Sequence, residues 1–506
     1  MPLLLNEQVP ARNLWLSTGL PEECLENLNL SKDPDSAINS SFKIGSAAQT
    51  TIGLAGLSAA HFHELRTGVK QTVKVDARHA VLEFRSEAYY TLDQQVPGSI
   101  WDSIAGLYKT KDSNFIRVHT NFPHHRHGIL NLLNLPDSPQ TTRAQVQEAF
   151  MQWNAEDFED KAAESGMCAF ALRTFAGWDQ HPQALALKNT PPVTVTKIGE
   201  APKRTLDNSS QHNIKYPLEN VKVLDLSRVL AGPVAGRTLA AHGADVLLVT
   251  SPNLPALPNI DVDTSRGKRT TQLDLTCSED RENLQRLVGD ADVFLQAYRP
   301  GALDSKGFGV QKLLEMNGGR REHGIVCANL CAWGWEGPWG NRRGFDSLVQ
   351  TATGFNAAEA QAYNEYQGTS PSLPQPKPFP VQALDHAAGY LLACGVNVAL
   401  CKTITEGGSW EVRVSLAAVG QWLRSLGRIS PEIAFGGGNP MPPIVFPPTD
   451  EVRSLSTEWA QSNHHVKGKR MTALKHAAIL SETPAKDGEE ADAPIFLNSS
   501  TATWID

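Results

Sequence analysis

The sequence predicts an α/β protein built on a largely parallel sheet covered on both faces. Residues 221–250, VKVLDLSRVLAGPVAGRTLAAHGADVLLVT, run as apolar strand, Gly-Pro turn, small-residue helix, Gly-Ala-Asp turn and second apolar strand, which is the order of a βαβ unit. The strand-like runs TTQLDLT, ADVFLQAY and IVCANL follow, alternating with helical patterns over about 278–288 and 347–362. Strands separated by helices of that length pair in parallel and are covered on both faces. The length of 506 residues exceeds one typical core, so two or more domains are expected.

Taken in order, residues 1–45 are weakly periodic and read as a helical lead-in. The small and apolar residues of GSAAQTTIGLAGLSAAHFHELR predict one buried helix that ends at Thr67-Gly68. QTVKVDARHAVLEF alternates as a strand before turning helical. IAGLYKTKDSNFIRVHT reads as two strands around a polar Lys-Asp-Ser-Asn turn, with helices over about 143–166, the strand CAFALR and a short helix after it. Residues 188–220 are rich in Pro, Thr, Asn and Ser and mark a boundary without a core of its own. Beyond the βαβ unit, QKLLEM is a further helix, and 363–380, with five prolines, reads as an exposed loop. The tail past Gly436 holds GGGNPMPP, PPTD, a basic HHVKGKR and one helix. Its end is acidic and reads as disordered until APIFL. The resulting division is a lead-in at 1–45, a unit at 46–190, a linker at 191–220, a parallel-sheet domain at 221–430 and a tail at 431–506.

Residues 54–86 and 392–425 share a layout of small-residue helix, polar Thr/Gly turn, Val-x-Val strand and second helix ending in Arg-Ser. That match points to duplicated or fused units.

A formal charge of −8 argues against a nucleic-acid surface. No run approaches 18 apolar residues, so no membrane span is expected. MPLLLNEQVPARNLW lacks a basic n-region, so no secretory signal is expected either. Cysteines 24, 168, 277, 327, 331, 394 and 401 are odd in number and mostly in apolar surroundings, as in a reduced, cytoplasmic protein. Cys327-x3-Cys331 lies on a strand without further ligands in view, and no metal is expected. His124, His125 and His127 of FPHHRHG read as a solvated or substrate-facing loop rather than a metal site.

The Gly232-Pro233 turn joins a strand to a helix, where free N–H groups at a helix start can receive phosphate. LAGPVAG keeps Gly232 and Gly236 without spelling the three-glycine dinucleotide pattern. A turn kept small for packing is the competing reading. Asp385, in FPVQALDHAAGYLLACG, stands at a helix start, where a carboxylate can simply cap free N–H groups. It can also attack a thioester carbonyl and carry the acyl group as an anhydride. An attacking carboxylate must be ionised, so a strongly raised pKa would count against that role. His386 reads as structural before catalytic, and Asp346 as a cap of its own helix.

These residues carry a family likeness. The blocks LDLSRVLAGPVAGRTLAAHGADVLLV, DTSRGKRTTQLDL, ADVFLQAYRPGALDSKGFG, AWGWEGPWGNRRGFDSLVQTATG and LDHAAGYLLACGVNVAL resemble, in order, the family III CoA-transferases. The resemblance implies an open, mostly parallel Rossmann-like sheet domain with a second, smaller α+β domain, and a homodimer of interlinked chains. It implies Asp385 as the catalytic aspartate and Val229, Ala297, Tyr298, Ala302 and Trp333 as contacts to coenzyme A. Arg299 and Lys306 become candidates for its phosphates. The substrates would be an acyl-CoA and a small organic acid, with no tightly bound cofactor. Two departures stand out. The racemase-like members have a histidine where Phe345 stands, which disfavours proton transfer at an α-carbon. The segments resembling the small domain, within 107–183, precede the sheet domain instead of following it. Gly436-Gly437-Gly438 is the one run comparable to a glycine-rich lid. The implied activity is CoA transfer through an aspartyl-acyl anhydride. An acyl-CoA racemase or epimerase and a non-catalytic CoA-binding scaffold are the alternatives.

Overall fold

The computed structural model describes residues 9–205, 214–316, 323–460 and 470–505. The chain opens with α1 (Val9–Ser17), β1 (Leu28–Leu30), α2 (Ile44–Thr67), β2 (Val73–Val75), α3 (Ala77–Glu83) and β3 (Thr91–Leu92). α2 is small or apolar on every face and is buried from Ile44 to His63 apart from Ser46. Gly68 ends it with φ 75°, the left-handed C-cap that glycine adopts without strain.

A small α+β unit follows: β4 (Gly106–Lys109), β5 (Phe115–Val118), α4 (Pro123–Leu132), α5 (Arg143–Phe150), α6 (Ala155–Glu164), β6 (Ala169–Ala171), α7 (Phe175–Asp179) and α8 (Pro182–Leu187). β4, β5 and β6 form an antiparallel sheet over a core that includes Ile116, Ile129, Phe150 and Phe158. FPHHRHG starts α4 instead of forming a loop, because Pro123 opens its first turn.

The rest of the domain runs β7 (Thr194–Gly199), β8 (Lys222–Leu226), α9 (Ala231–Ala241), β9 (Asp245–Thr250), α10 (Pro258–Thr264), β10 (Arg269–Gln272), α11 (Ser278–Asp290), β11 (Val293–Gln296), α12 (Val310–Glu315) and β12 (Val326–Cys331). Then come α13 (Asp346–Ala352), α14 (Phe355–Tyr366), α15 (Ala383–Thr405), β13 (Ser409–Ser415) and α16 (Leu416–Ser425). Seven strands make one sheet in the order β10-β9-β8-β11-β12-β13-β7, parallel except for β7. Strand order reverses between β8 and β11, which creates the crevice where doubly wound sheets bind ligands.

Three sequence expectations change here. The segment read as a linker supplies β7, which pairs antiparallel with β13 at the sheet edge. An edge strand tolerates the polar residues of TVTKIG that argued against a core. The helix expected at 347–362 is two helices, broken at Gly354 with φ 99°, where a Cβ would lie 2.7 Å from Phe175 N. α15 is, among the described residues, a helix long and apolar enough to cross a membrane. Its apolar character is spread over alanine, glycine, cysteine and tyrosine rather than one uninterrupted run. Here it is a core helix, packed between α2 and α9.

The tail adds α17 (Asp450–Ser454), β14 (Ser456–Trp459), β15 (Met471–Leu474) and β16 (Ala478–Leu480). β15 pairs with β14 and β3, and β16 pairs with β2. The end read as disordered is held by the N-terminal segment: Gln71 Oε1 accepts the N–H groups of Glu482 at 3.3 Å and Thr483 at 3.1 Å. Most of the basic HHVKGKR run lies outside the described residues.

α2–β2–α3 and α15–β13–α16 share element order and surroundings. β2 has a parallel neighbour in β1 and an antiparallel one in β16, as β13 has in β12 and β7. Aligned without gaps, the caps of the second helices, Asp76 and Ser415, coincide, and Ser46 stands where α15 has Asp385. The two long helices meet directly, with Asn397 Nδ2 donating to Ala55 O and Ser58 Oγ at 3.2 Å each.

Candidate functional site

The β8–α9 turn and the loop after β11 face each other across the switch point, and α15 closes the gap between them. Together they frame a cleft of about 320 Å3 whose wall includes Val229, Gly232, Ala297, Tyr298, Ala302 and Asp385. Val229 has φ 72°, a left-handed conformation rare for a β-branched residue and costly by about 1–3 kcal/mol. Gly232 must lack a side chain: a Cβ would lie 2.5 Å from Ser227 Cβ and 2.7 Å from Ala297 Cβ. Gly236, one turn on, leaves room for the buried Lys268–Asp225 pair at 2.8 Å. The two glycines kept in LAGPVAG therefore serve close approach at the turn and an ion pair beneath it.

Asp385 lies in the first turn of α15 and is 8% exposed. Asp346 Oδ2 accepts the backbone N–H groups of Leu384 at 2.7 Å and of Asp385 at 3.0 Å. Asp346 thus caps α15 rather than α13, correcting the sequence expectation, and Gln350 holds its other oxygen. Burial, then the Asp346 carboxylate and Glu87, raise the Asp385 pKa well above the usual carboxylate range. Burial also lifts Asp346 itself to about 6. By the criterion drawn from the sequence, this rise counts against Asp385 as an attacking carboxylate. His386 takes the structural role: it is fully buried, stacks on Phe84 and places Nε2 3.2 Å from Glu87 Oε2.

Positive charge surrounds the cleft in Arg228, Arg299 and Arg343. His124 and His125 of α4 also line it, and Arg343 Nη1 lies 3.0 Å from His125 Nε2. Burial, His124 and the nearby arginines push His125 down to about 3, so it is neutral. Phe345 lies on the wall and stacks on His119 with centroids 3.7 Å apart. Lys306 sits one groove away, in an apolar recess of about 280 Å3 that shares Tyr298 and Ala302 with the cleft.

Trp333 is elsewhere. It is 1% exposed, packs on Phe170, Trp178 and Trp339, and donates Nε1–H to Arg343 O at 3.1 Å. The expectation of a CoA-lining aromatic is corrected: the side chain turns into the core behind the cleft, among partners from β6 and α7 that sequence spacing does not reveal. Gly436 packs toward Tyr366 and Gly438 toward Ile38, away from the cleft. Cys327 and Cys331 are buried on β12. Far from the cleft, Cys24, His61 and Glu64 bring ligand-type atoms within 4.8 Å of one another.

A carboxylate thus stands at the mouth of the switch point of a doubly wound sheet. Residues 218–436 match the model of CoA-transferase family III. Acetyl-coenzyme A transferase nodX of Hypoxylon pulicicidum is 28% identical over 347 residues, covering 64% of this chain and 55% of that protein. An acyl-CoA transferase of Gibberella moniliformis is 26% identical over 400 residues, covering 72% of this chain and 68% of that one. The solved Mycobacterium tuberculosis protein Rv3272 is 32% identical over 42% of this chain and 59% of its own, with a TM-score of 0.35. The chain thus spans little more than half the length of nodX and of Rv3272.

Proposed function

We propose that the protein is an acyl-CoA transferase that moves CoA from an acyl-CoA donor to a carboxylate acceptor, with Asp385 as the transient acyl carrier. The observation that carries this reading is the shared cleft: Asp385 faces the 228–232 turn and the 297–302 loop across one cavity. The CoA chain would lie along Val229, Ala297, Tyr298 and Ala302. The apolar groove beside Tyr298 would take the adenine, with Lys306 and Arg299 near the phosphates.

The chemistry follows from one carboxylate and one thioester. An Asp385 oxygen attacks the thioester carbonyl, the C–S bond breaks, and the products are a mixed anhydride and the CoA thiolate. The thiolate then attacks the Asp385 carbonyl, releasing the donor acid with the bridging oxygen and leaving aspartyl-CoA. The acceptor carboxylate repeats both steps in reverse order: it forms a new anhydride, and the thiolate takes its acyl group and returns Asp385. No proton or electron is left over. The ionised Asp385 is the reactive form, and its desolvated setting makes the anion more basic while fewer molecules carry it. Phe345 offers no base at the position where an α-proton would have to be moved.

Asp385→Ala should abolish exchange between labelled acyl-CoA and free carboxylate while CoA still binds. Equal loss of exchange and CoA binding would contradict the reading.

A further inference from the structure

A second cavity, of about 560 Å3, adjoins the same helix start, with Val381 and Gln382 in its wall. Gln382 precedes Asp385 by three residues, about 4.5 Å along a helix axis. Arg117, on β5, also lines this cavity. It is 7% exposed and lies over the Trp101 ring at 5.5 Å. Its side chain makes no hydrogen bond or ion pair among the described residues, and its Nε is buried without a partner. Arg85 faces the same space, while the one carboxylate there, Glu87, is turned to His386. Apart from Ser99 and Gln382 the remaining walls are apolar, Val96, Ile100, Phe379 and Ile444 among them.

An unpaired buried guanidinium is costly, and an anion arriving with the ligand removes that cost. A planar fork of donors suits a carboxylate. We infer that this cavity receives the distal carboxylate of the acyl group, so that donor and acceptor are dicarboxylic acids, one end on Asp385 and the other on Arg117. The chemistry rests on the transferase reading above, and the location rests on Arg117. Burial lowers the Arg117 pKa to about 10, with Asp346 favouring the charge, so the side chain is a cation near neutrality. Because donor acid and acceptor acid occupy the site in turn, one arginine selects both.

The test compares succinate with propionate, acids of similar reach that differ in the second charge. Exchange of each acid with its own CoA thioester is measured on the full chain and on Arg117→Gln and Arg117→Lys. The expected result is a KM for succinate raised at least tenfold in Arg117→Gln and partly restored in Arg117→Lys, with propionate changed less than threefold. Equal effects on both acids, or none on either, would overturn the inference. Calorimetric titration of the two acids into Asp385→Asn separates this from the catalytic reading. Succinate should bind more tightly than propionate there, and only while Arg117 is present. Equal binding of the two acids overturns the subsite whatever Asp385 does.

Discussion

Asp346 Oδ2 accepts the N–H of Asp385 at 3.0 Å, so one carboxylate holds the backbone from which the other projects. The arrangement has two consequences. It fixes where α15 begins, since the same oxygen also takes the N–H of Leu384. It also sets a negative charge beside Asp385, which together with burial raises that carboxyl's pKa. One neighbour therefore holds the position of the proposed carrier and adds to the rise in pKa that burial begins.

Asp346→Asn keeps an amide oxygen for the N–H groups and removes the charge. The Asp385 pKa should then fall, and the rising limb of the pH–rate profile should move to lower pH. Asp346→Ala should instead destabilise the fold, by about 1–3 kcal/mol for each buried N–H left unpaired. A pH profile of exchange, with thermal melts of both variants, checks this; an unmoved limb in Asp346→Asn would show that the charge is not felt.

Asp385→Asn should be more stable than the native protein at alkaline pH. Its carboxyl is raised in the folded state, so above the unfolded value near 3.8 folding must take up a proton. Native stability therefore falls as pH rises toward the folded pKa, by up to about 1.4 kcal/mol per pH unit. The Asn variant lacks this loss. Melting temperatures from pH 4 to pH 9 should show a gap that widens with pH, and a constant gap would contradict the raised pKa.

Trp333→Phe should leave CoA affinity within about twofold and lower stability, because the indole fills the core and donates to Arg343 O. A large-to-small change of this kind costs up to a few kcal/mol, about 3–5 for a full truncation to alanine. CoA titration beside denaturant unfolding measures both, and a selective loss of CoA binding would return Trp333 to the ligand's side.

Local patterns were legible in the sequence. The βαβ run, the buried α2 and the placing of Asp385 at a helix start all follow from residues within a few turns of one another. The meeting of Val229, Tyr298 and Asp385 in one cleft was expected from the resemblance and the rule for switch points, and the strand order supplies it. What escaped depends on distant partners. β7 looked like linker because its pairing residues lie on β13, and the acidic end looked disordered because the distant Gln71 holds it. Asp346 was read as capping its own helix because a helix start offers the nearest N–H groups, whereas the ones it takes are on α15. Arg117 carried no signal in FIRVHT; only the cavity beside Gln382 gives it one.

The central claim is that the Asp385 carboxyl exchanges oxygen with the acid. An acyl-CoA and its own acid, doubly labelled with 18O in the carboxylate, are incubated with the enzyme in unlabelled water until exchange is measurable, and the peptide bearing Asp385 is weighed. Each transfer replaces one aspartate oxygen with one acid oxygen, so the peptide should gain about 2 Da after one turnover and up to about 4 Da after many, with the label on Asp385. Measurable exchange with that peptide at its natural mass would contradict the account.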